Sequence, residues 1–391
     1  MSTRSKLMQK LRWATAAVAA VLTASAAQAQ ETIKIGMTQP LTGPVAASGN
    51  YVANGAKIAV DVINANGGVL GKKLELILED NKSNPKEAVN AVEKLILRDK
   101  VPLLIGAWSS TYTLAIMPKL IEYKVPLIVE TSSSGKITTS GNPWVFRISP
   151  TSEMEAKAFL AKYDSFQPSI KKIDFLSVNN DWGRGSAEEF SKYLKTKGVE
   201  IGSVQFMTPD ATDLSAQLTA IKQSGGDTLF ITTGVEQMTL ALKQAAELKL
   251  PQRIITTGGS FPDQLIANPG PKEMSSYHLL FFSPWFPDKA KYPDIAKVYV
   301  DEWTKRKLEF PGLTEGFRGY DAVLTAVEAI KIAGKAEPEA LREALWKTRL
   351  PAVNGDIAFI KEGPAGAESG QNQPNIYIVL LNQGKVTMPL P

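Results

Sequence analysis

The sequence predicts an α/β protein made of two lobes, each with a parallel β-sheet covered by helices on both faces. Short apolar strands alternate with amphipathic helices over residues 33–129, and the same alternation restarts at 173 and continues to 256. Beyond 278 the pattern changes to long helices followed by short strands near the C terminus. Strict alternation of strand and helix requires right-handed crossovers and therefore parallel sheets. A chain of 391 residues is long enough to bury two such cores.

The N terminus predicts a cleavable signal peptide over residues 1–29. It has four basic residues and no acidic one, then an apolar or small stretch at 13–27, and ends with the small-x-small pattern Ala27-Gln28-Ala29. The alternative is a membrane anchor, but the Ala-rich run is short for a span of about 20 residues. A lipid anchor needs a cysteine at the cleavage site, and there is none. We therefore expect a protein free in the periplasm.

Composition excludes several functional classes. The formal charge of +5 comes from 44 basic and 39 acidic residues, but four of the basic residues lie in the predicted signal peptide. The mature chain is nearly neutral, so charge gives no reason to expect a nucleic-acid partner. The absence of cysteine excludes disulfides, thiolate zinc sites and a cysteine nucleophile, and the single histidine excludes a multi-histidine metal site. We expect no cofactor and no metal.

The first predicted unit follows from local signals as well as periodicity. Asn66-Gly67-Gly68 ends one helix, because glycine adopts the left-handed conformation at little cost. Asn84-Pro85 opens the next helix with a capping side chain and a proline at its first position. The expected strands are 33–37, 74–79, 103–105 and 126–129, and the expected helices lie around 52–63, from 84 onward and around 113–122.

The second unit repeats this order without a visible sequence repeat. Its expected strands are 173–178, 199–206, 229–232 and 253–256, with helices at 186–197, 214–223 and 237–248. After a strand-like run at 279–282, helices are expected at 295–307, 321–333 and 338–346, and strands at 357–359 and 376–380.

The late elements imply that the chain returns to lobes it has already built. We expect the N-terminal lobe to comprise residues 30–147 plus 279–354, and the C-terminal lobe 148–278 plus 355–391. Two lobes joined by three crossings form a hinge, which opens and closes around a ligand held in the cleft.

No motif in the sequence requires catalysis. The 67–73 stretch lacks the spacing of a phosphate loop, and Gly183-Arg184-Gly185 lacks the third glycine of a dinucleotide fingerprint. There is no Gly-x-Ser-x-Gly elbow and no metal-binding histidine pair. The sequence therefore predicts a binding protein and not an enzyme.

Hydroxyl-rich segments follow two strand ends and suggest a ligand site. Residues 106–111, with Trp108, Ser109 and Ser110, follow one strand, and 131–134, with Ser132 and Ser133, follow the next. Ligands of an open parallel sheet lie outside the carboxyl ends of its strands, where these segments are expected to be neighbours. Hydroxyls and free helix amides suit a carboxylate. The alternative is that these are ordinary caps and loop residues.

Three residues are candidates from the second lobe. Trp182 stands at a strand end, where its indole would stack on an apolar ligand, although a surface turn is an equally good interpretation. Glu236 and Ser260 follow the next two strands and are weaker candidates. His278 is expected to be structural. Core or hinge packing is expected for four aromatic residues, Trp285, Phe286, Phe317 and Tyr320.

Taken together, several segments resemble the leucine/isoleucine/valine-binding protein family, the periplasmic receptors of hydrophobic-amino-acid-type ABC importers. The resemblance covers essentially the whole mature chain and implies the type I periplasmic-binding-protein fold. The segments that carry it are Ile33-Lys34-Ile35-Gly36, Pro40-Leu41-Thr42-Gly43-Pro44, Asp61 to Gly68, Glu79-Asp80, Gly106 with Ser109-Ser110, and Asp181-Trp182-Gly183-Arg184-Gly185.

The resemblance also implies a role for some positions. The family's carboxylate-binding positions fall on Ser110 and on Ser132-Ser133, and a second-lobe tyrosine corresponds to Trp182. A further tyrosine falls on or near Gly234. The acid that pairs with the ligand ammonium falls near Gly258, and no acid follows there before residue 263. The family's disulfide is absent, with Ser83 and Ser109 in place of its cysteines.

These departures suggest a ligand that has a carboxylate and an aromatic or other apolar body, because an ammonium buried without an acidic partner is costly. The first alternative is a hydrophobic amino acid, with Glu236 as ammonium partner. The second is a ligand-sensing module of a signalling system. We expect a monomer that delivers its ligand to the permease of an ABC transporter.

Overall fold

The computed structural model describes residues 32–258, 276–281, 286–382 and 385–389. The predicted signal peptide, Ser260 and Trp285 lie outside these residues.

The first sheet has seven strands, five of which form a parallel core in the order β2-β1-β3-β4-β5. These are β1 (Thr32–Gln39), β2 (Lys73–Asp80), β3 (Leu104–Ile105), β4 (Leu127–Val129) and β5 (Val145–Arg147). Strand order reverses between β1 and β3, so a crevice opens at their carboxyl ends.

Helices cover both faces of this sheet. Four come from the first half of the chain: α1 (Ala46–Ala65), α2 (Pro85–Glu93), α3 (Ser110–Tyr123) and α4 (Lys136–Thr139); α2 continues as a π-helical turn over Lys94–Arg98. Three come from the late segment: α9 (Pro293–Lys305), α10 (Leu313–Ala333) and α11 (Pro338–Lys347). α10 packs against both α1 and α11, so these late helices lie with the first sheet.

The second sheet repeats the arrangement, with a parallel core in the order β7-β6-β8-β9-β10. Its strands are β6 (Lys172–Val178), β7 (Glu200–Met207), β8 (Thr228–Thr232), β9 (Arg253–Thr257) and β10 (Ser276–Leu280). The helices are α5 (Ser152–Ala161), α6 (Asp181–Lys195), α7 (Ser215–Ser224) and α8 (Val235–Glu247). Two apolar clusters of buried residues belong to this lobe.

The last strands divide between the two sheets in a way that the sequence pattern does not predict. A hairpin of β11 (Arg349–Ala352) and β12 (Gly355–Ala358) is followed by β13 (Ile360–Glu362) and β14 (Ser369–Gln371), which extend the first sheet beside β5. Only β15 (Tyr377–Asn382) and β16 (Lys385–Pro389) join the second sheet, beside β10.

The expected division between the lobes was therefore wrong for residues 360–371, which extend the first sheet, and for residues 279–280, which are part of β10 in the second sheet. β14 is fixed to the first lobe because buried Arg147 donates from Nε to Gln371 Oε1 at 2.6 Å. The chain still crosses between the sheets three times: between β5 and β6, between β10 and β13, and between β14 and β15.

Local capping explains two element boundaries. The Asn84 side chain accepts from the amides of Lys86 and Glu87, as expected from the Asn-Pro signal. Asn180 accepts from Gly183 N at 2.9 Å, so α6 begins at Asp181, five residues before the predicted start. Trp182 consequently lies in the first turn of a helix and not in a surface turn.

No helix within the described ranges is long and apolar enough to cross a membrane.

Candidate functional site

A pocket lies between the lobes, at the carboxyl ends of the strands of both sheets. It contains about 430 Å³ of space, including its opening to solvent. The segments after β3 and β4 form one side, and residues after β6, β8 and β9 form the other. Its lining residues are Trp108, Ser109, Ser110, Thr131, Ser132, Ser133, Glu155, Trp182, Gly234, Gly258, Phe281, Glu315 and Arg318.

Trp108 is held in the wall of the pocket by three hydrogen bonds. Its backbone N–H donates to Glu130 Oε1 at 3.1 Å, and its indole N–H donates to Glu315 Oε1 at 3.0 Å. Its carbonyl accepts from Ser132 Oγ at 2.9 Å. With φ at 64°, Trp108 has a left-handed backbone conformation that is unfavourable for a bulky residue, and these contacts stabilise it.

The serines differ in whether their protons are available to a ligand. Ser132 donates its only proton to Trp108, so Thr113, 2.7 Å away, must donate to Ser132. Ser132 therefore positions the Trp108 segment. Ser110 Oγ accepts from Ser134 N at 3.1 Å, which leaves its own proton for a ligand. Ser133 Oγ lies 3.1 Å from Ser152 Oγ. One of these two hydroxyls donates to the other, and the second proton is available to a ligand.

Arg147 stabilises the serine segment from behind. Its Nη1 donates to the carbonyls of Ser132 and Ser134 at 3.2 and 2.6 Å, and its Nη2 donates to Thr138 Oγ1 at 2.7 Å. The side chain is completely buried, and burial lowers its pKa to about 10. Arg147 thus connects the segment after β4 to β14 and keeps the hydroxyls in place.

Aromatic rings from both lobes line the pocket. Trp182 extends from the first turn of α6, and the tip of its ring lies beside Gly258. Gly258 has φ at 145°, a conformation that favours glycine, and a side chain there would also collide with the Thr233 carbonyl. The tip of the Trp108 ring lies beside Gly234, where the family resemblance places a tyrosine. Phe281 provides a third ring.

Hydrogen bonds across the cleft hold the lobes together. Glu236 of α8 accepts from the Ala47 and Ser48 amides of α1, at 2.9 and 3.4 Å, and its other oxygen lies 3.4 Å from Ser48 Oγ. The N-cap residue of α1, Val45, makes no side-chain capping bond, so Glu236 caps the helix from the opposite lobe. Thr111 Oγ1 donates to Asp181 Oδ2 at 2.7 Å.

Three charged residues line the pocket, and none of them was among the predicted site residues. Glu155 on α5 is 2% exposed, while Glu315 and Arg318 on α10 are 1% and 5% exposed. Arg318 Nε lies 3.7 Å from Glu315 Oε2, and the guanidinium carbon lies 4.8 Å from the centre of the Phe281 ring. Burial raises the pKa of Glu155 to about 7 and also raises the pKa of Glu315.

The structure brings six of the eight predicted site residues together in the pocket lining: Trp108, Ser109, Ser110, Ser132, Ser133 and Trp182. Glu236 is not among the lining residues, since its carboxylate caps α1. Ser260 lies outside the described residues.

His278 is completely buried in β10, and its Nδ1 lies 2.6 Å from Thr256 Oγ1. Burial lowers the pKa of this histidine to about 3. The residues that the structure describes include no group of three or more His, Asp or Glu side chains suited to a metal ion.

The protein has two parallel-sheet lobes, and a polar and aromatic pocket lies between their facing strand ends. This arrangement is typical of ligand-binding proteins of the hinged, two-lobed class. The family described as "Periplasmic binding protein" matches residues 32–385. The chain belongs to this family and has the type I periplasmic-binding-protein fold.

A curated relative is the leucine-, isoleucine-, valine-, threonine- and alanine-binding protein of Pseudomonas aeruginosa, 28% identical over 91% of this chain and 93% of that protein. Among solved structures, the branched-chain amino acid transporter substrate-binding protein LivJ of Streptococcus pneumoniae, in complex with isoleucine, is 25% identical. Its TM-score is 0.78, over 92% of this chain and 99% of that one.

An ABC-transporter solute-binding protein of Rhodopseudomonas palustris, in complex with 3,4-dihydroxybenzoic acid, is 24% identical. The TM-score is 0.75, over 92% of this chain and 96% of that one. This last similarity concerns the fold alone.

Proposed function

We propose that the protein is the periplasmic receptor of an ABC importer and that it captures a small carboxylate with an aromatic body. The observation that carries this proposal is the combination of hydroxyls and rings in one pocket. Ser110 and the Ser133–Ser152 pair have protons to donate, while Trp108, Trp182 and Phe281 provide flat apolar surface. A carboxylate and an aromatic ring on one small molecule use both sets of groups.

The mechanism begins with capture on the first lobe. Ser110 and Ser133 donate to the ligand carboxylate, next to the first amides of α3, whose N-cap residue Ser109 makes no side-chain capping bond. Closure of the hinge then brings Trp182 of the second lobe against the ring, and Glu236 caps α1 as the lobes meet. Closure makes the surface of both lobes available together, and a permease recognises this closed form.

A second candidate is a hydrophobic amino acid. Relatives that bind such ligands support it, and so does the acidic side chain of Glu155 in the pocket. The sequence has no acid between Gly258 and residue 263, where the family resemblance places the partner of an ammonium, but the pocket contains acids from elsewhere in the chain. Glu236, which the sequence analysis proposed as the ammonium partner, is already used in capping α1.

Calorimetric titration of the mature protein with benzoate, phenylacetate and leucine distinguishes the candidates. We expect the aromatic acids to bind and leucine to bind weakly or not at all. Tight leucine binding without binding of either aromatic acid would refute the aromatic proposal and leave the receptor class intact.

Ser110→Ala tests the carboxylate contact. A hydrogen bond to a charged group contributes about 1.5–3 kcal/mol, so affinity for an aromatic acid should fall at least tenfold. Ser140→Ala is the matched control, because Ser140 is an exposed serine after α4. An unchanged affinity in a folded Ser110→Ala protein would place the carboxylate elsewhere.

A further inference from the structure

The charged side of the pocket has buried polar atoms that the protein itself does not satisfy. Glu155 Oε2, Glu315 Oε2, Arg318 Nε and Thr131 Oγ1 have no hydrogen-bond partner among the described residues. Their residues all line the pocket, and the three charged side chains are at least 95% buried. Buried polar groups of this kind are expensive to leave unpaired, so they indicate contacts that a ligand completes.

These atoms include both acceptors and donors. Glu155 and Glu315 offer carboxylate oxygens, whereas Arg318 offers only N–H groups and Thr131 offers a hydroxyl. A ligand group placed among them has to donate to a carboxylate and accept from a guanidinium. A hydroxyl does both, since it has one proton and two lone pairs. An ammonium donates only, so it cannot accept from Arg318.

The charges of this cluster also favour a hydroxyl over an ammonium. Arg318 and Glu315 compensate each other within one turn of α10. Burial raises the pKa of Glu155 to about 7, so near neutral pH this group exchanges between the carboxylate and the acid. A hydroxyl forms a hydrogen bond with either form, whereas an ammonium needs the carboxylate. The aromatic lining around this cluster, with Phe281 against Arg318, suits a ring that carries the hydroxyl.

We propose that the ligand is an aromatic carboxylate that also carries a hydroxyl group, and that Glu155, Arg318 and Glu315 select for this hydroxyl. This inference rests on the proposed function, because it assumes that an aromatic carboxylate occupies the pocket. Glu155 is the most direct specificity residue, since Glu315 also fixes the Trp108 indole through a hydrogen bond of 3.0 Å.

The test compares ligands that differ only in the hydroxyl. Benzoate is titrated beside 2-, 3- and 4-hydroxybenzoate, with mandelate and phenylalanine as further probes. At least one hydroxylated acid should bind tenfold or more tightly than benzoate, because a site built to pair with a hydroxyl discriminates against the analogue that lacks it. The ratio of the dissociation constant of benzoate to that of the tightest hydroxylated acid should fall towards one in Glu155→Gln. Glu153→Gln on the same helix is the matched control, because its carboxylate bonds Tyr193 and Lys157 outside the pocket.

Each outcome has a defined meaning. If benzoate binds as tightly as every hydroxylated acid, the inference is wrong and the proposed function survives. If phenylalanine binds more tightly than all the acids, the cluster holds an ammonium, and both the hydroxyl and the aromatic-acid proposals fail. If no carboxylate in the panel binds to a folded protein, the proposed function itself fails. A ratio that is the same in Glu155→Gln and wild type removes Glu155 from the selection, and Arg318→Met then tests the remaining pair, with thermal unfolding as the check that it folds.

Discussion

Glu236→Ala should weaken ligand binding although its carboxylate is not part of the pocket lining. The side chain caps α1 of the first lobe from α8 of the second, through two backbone amides and a serine hydroxyl. Because these contacts join the two lobes, we expect them to break when the lobes open. In an open form the carboxylate would be in water and α1 would lose this cap. The substitution therefore destabilises the closed form relative to the open one.

The magnitude follows from helix capping. Loss of an N-cap costs about 0.5–2 kcal/mol, and a partly buried anion at a helix N terminus contributes up to about 2 kcal/mol. If Glu236 stabilises the closed form by about 1–2 kcal/mol, its removal should lower the closed population about 5- to 30-fold. The apparent affinity for the ligand should fall by the same factor. Because the substitution acts on closure of the lobes, the apparent affinity should fall by the same factor for every ligand that requires closure.

Calorimetry on two chemically different ligands measures this factor, with small-angle scattering of the liganded protein as an independent readout of closure. Glu247→Ala is the matched control: it removes the same charge from an exposed position at the other end of α8. Thermal unfolding should change little, because Glu236 bonds the opposite lobe. Unchanged affinity for both ligands would refute the capping role, and a loss confined to one ligand would show that Glu236 contacts that ligand directly.

The remaining predictions concern Trp182 and His278. Trp182→Ala should reduce affinity for benzoate about two- to tenfold more than for butyrate, because a stacked ring contributes about 0.5–1.5 kcal/mol beyond its buried area. Equal losses in calorimetry would show that the indole does not stack on the ligand. His278 has a folded pKa of about 3 against an ordinary value of 6.5, so only the unfolded state binds its proton between these values. Its contribution to stability is present above pH 6.5 and is lost as the pH falls, by about 1.4 kcal/mol per unit. Relative to His278→Gln, the wild type should lose about 2 kcal/mol of unfolding free energy between pH 7 and 5 in urea titrations. A difference that does not change with pH would contradict the neutral, buried histidine.

Most of the fold could be predicted from local patterns. The strands of both parallel cores are short apolar runs separated by helical periodicity, and the same patterns predicted the late helices. The placement of β13 and β14 could not be predicted, because it depends on Arg147 reaching Gln371, more than two hundred residues away in the chain. The start of α6 could have been predicted, since Asn180 before Asp181-Trp182-Gly183 is a capping signal.

The candidate site was predicted in part, for a physical reason. Serines and tryptophans at strand ends can be placed by sheet topology alone, and four serines and two tryptophans of this kind line the pocket. The charged residues could not be predicted in this way. In the sequence, Glu315 and Arg318 have the spacing of an exposed ion pair on a helix, and the helix was expected to begin only at 321. Both are buried, and they contact Trp108 and Phe281, which are distant in the chain and which local sequence does not reveal as neighbours.

The roles within the predicted set also depend on three-dimensional contacts. Ser132 and Ser110 are equivalent in the sequence argument, yet Ser132 has its proton committed to Trp108 and Ser110 does not. Glu236 was a candidate because it follows a strand end, and α1 of the other lobe is the partner that it meets there. Such differences follow from which neighbour has a free acceptor or amide, and this becomes known only when both lobes are in place.

The most direct test of the central claim is mass spectrometry of the small molecule that the protein releases on denaturation, after purification without added ligand. We predict an aromatic carboxylic acid, with a hydroxyl group on the same molecule. Release of a branched-chain amino acid, or of a molecule without a carboxylate, would contradict the account.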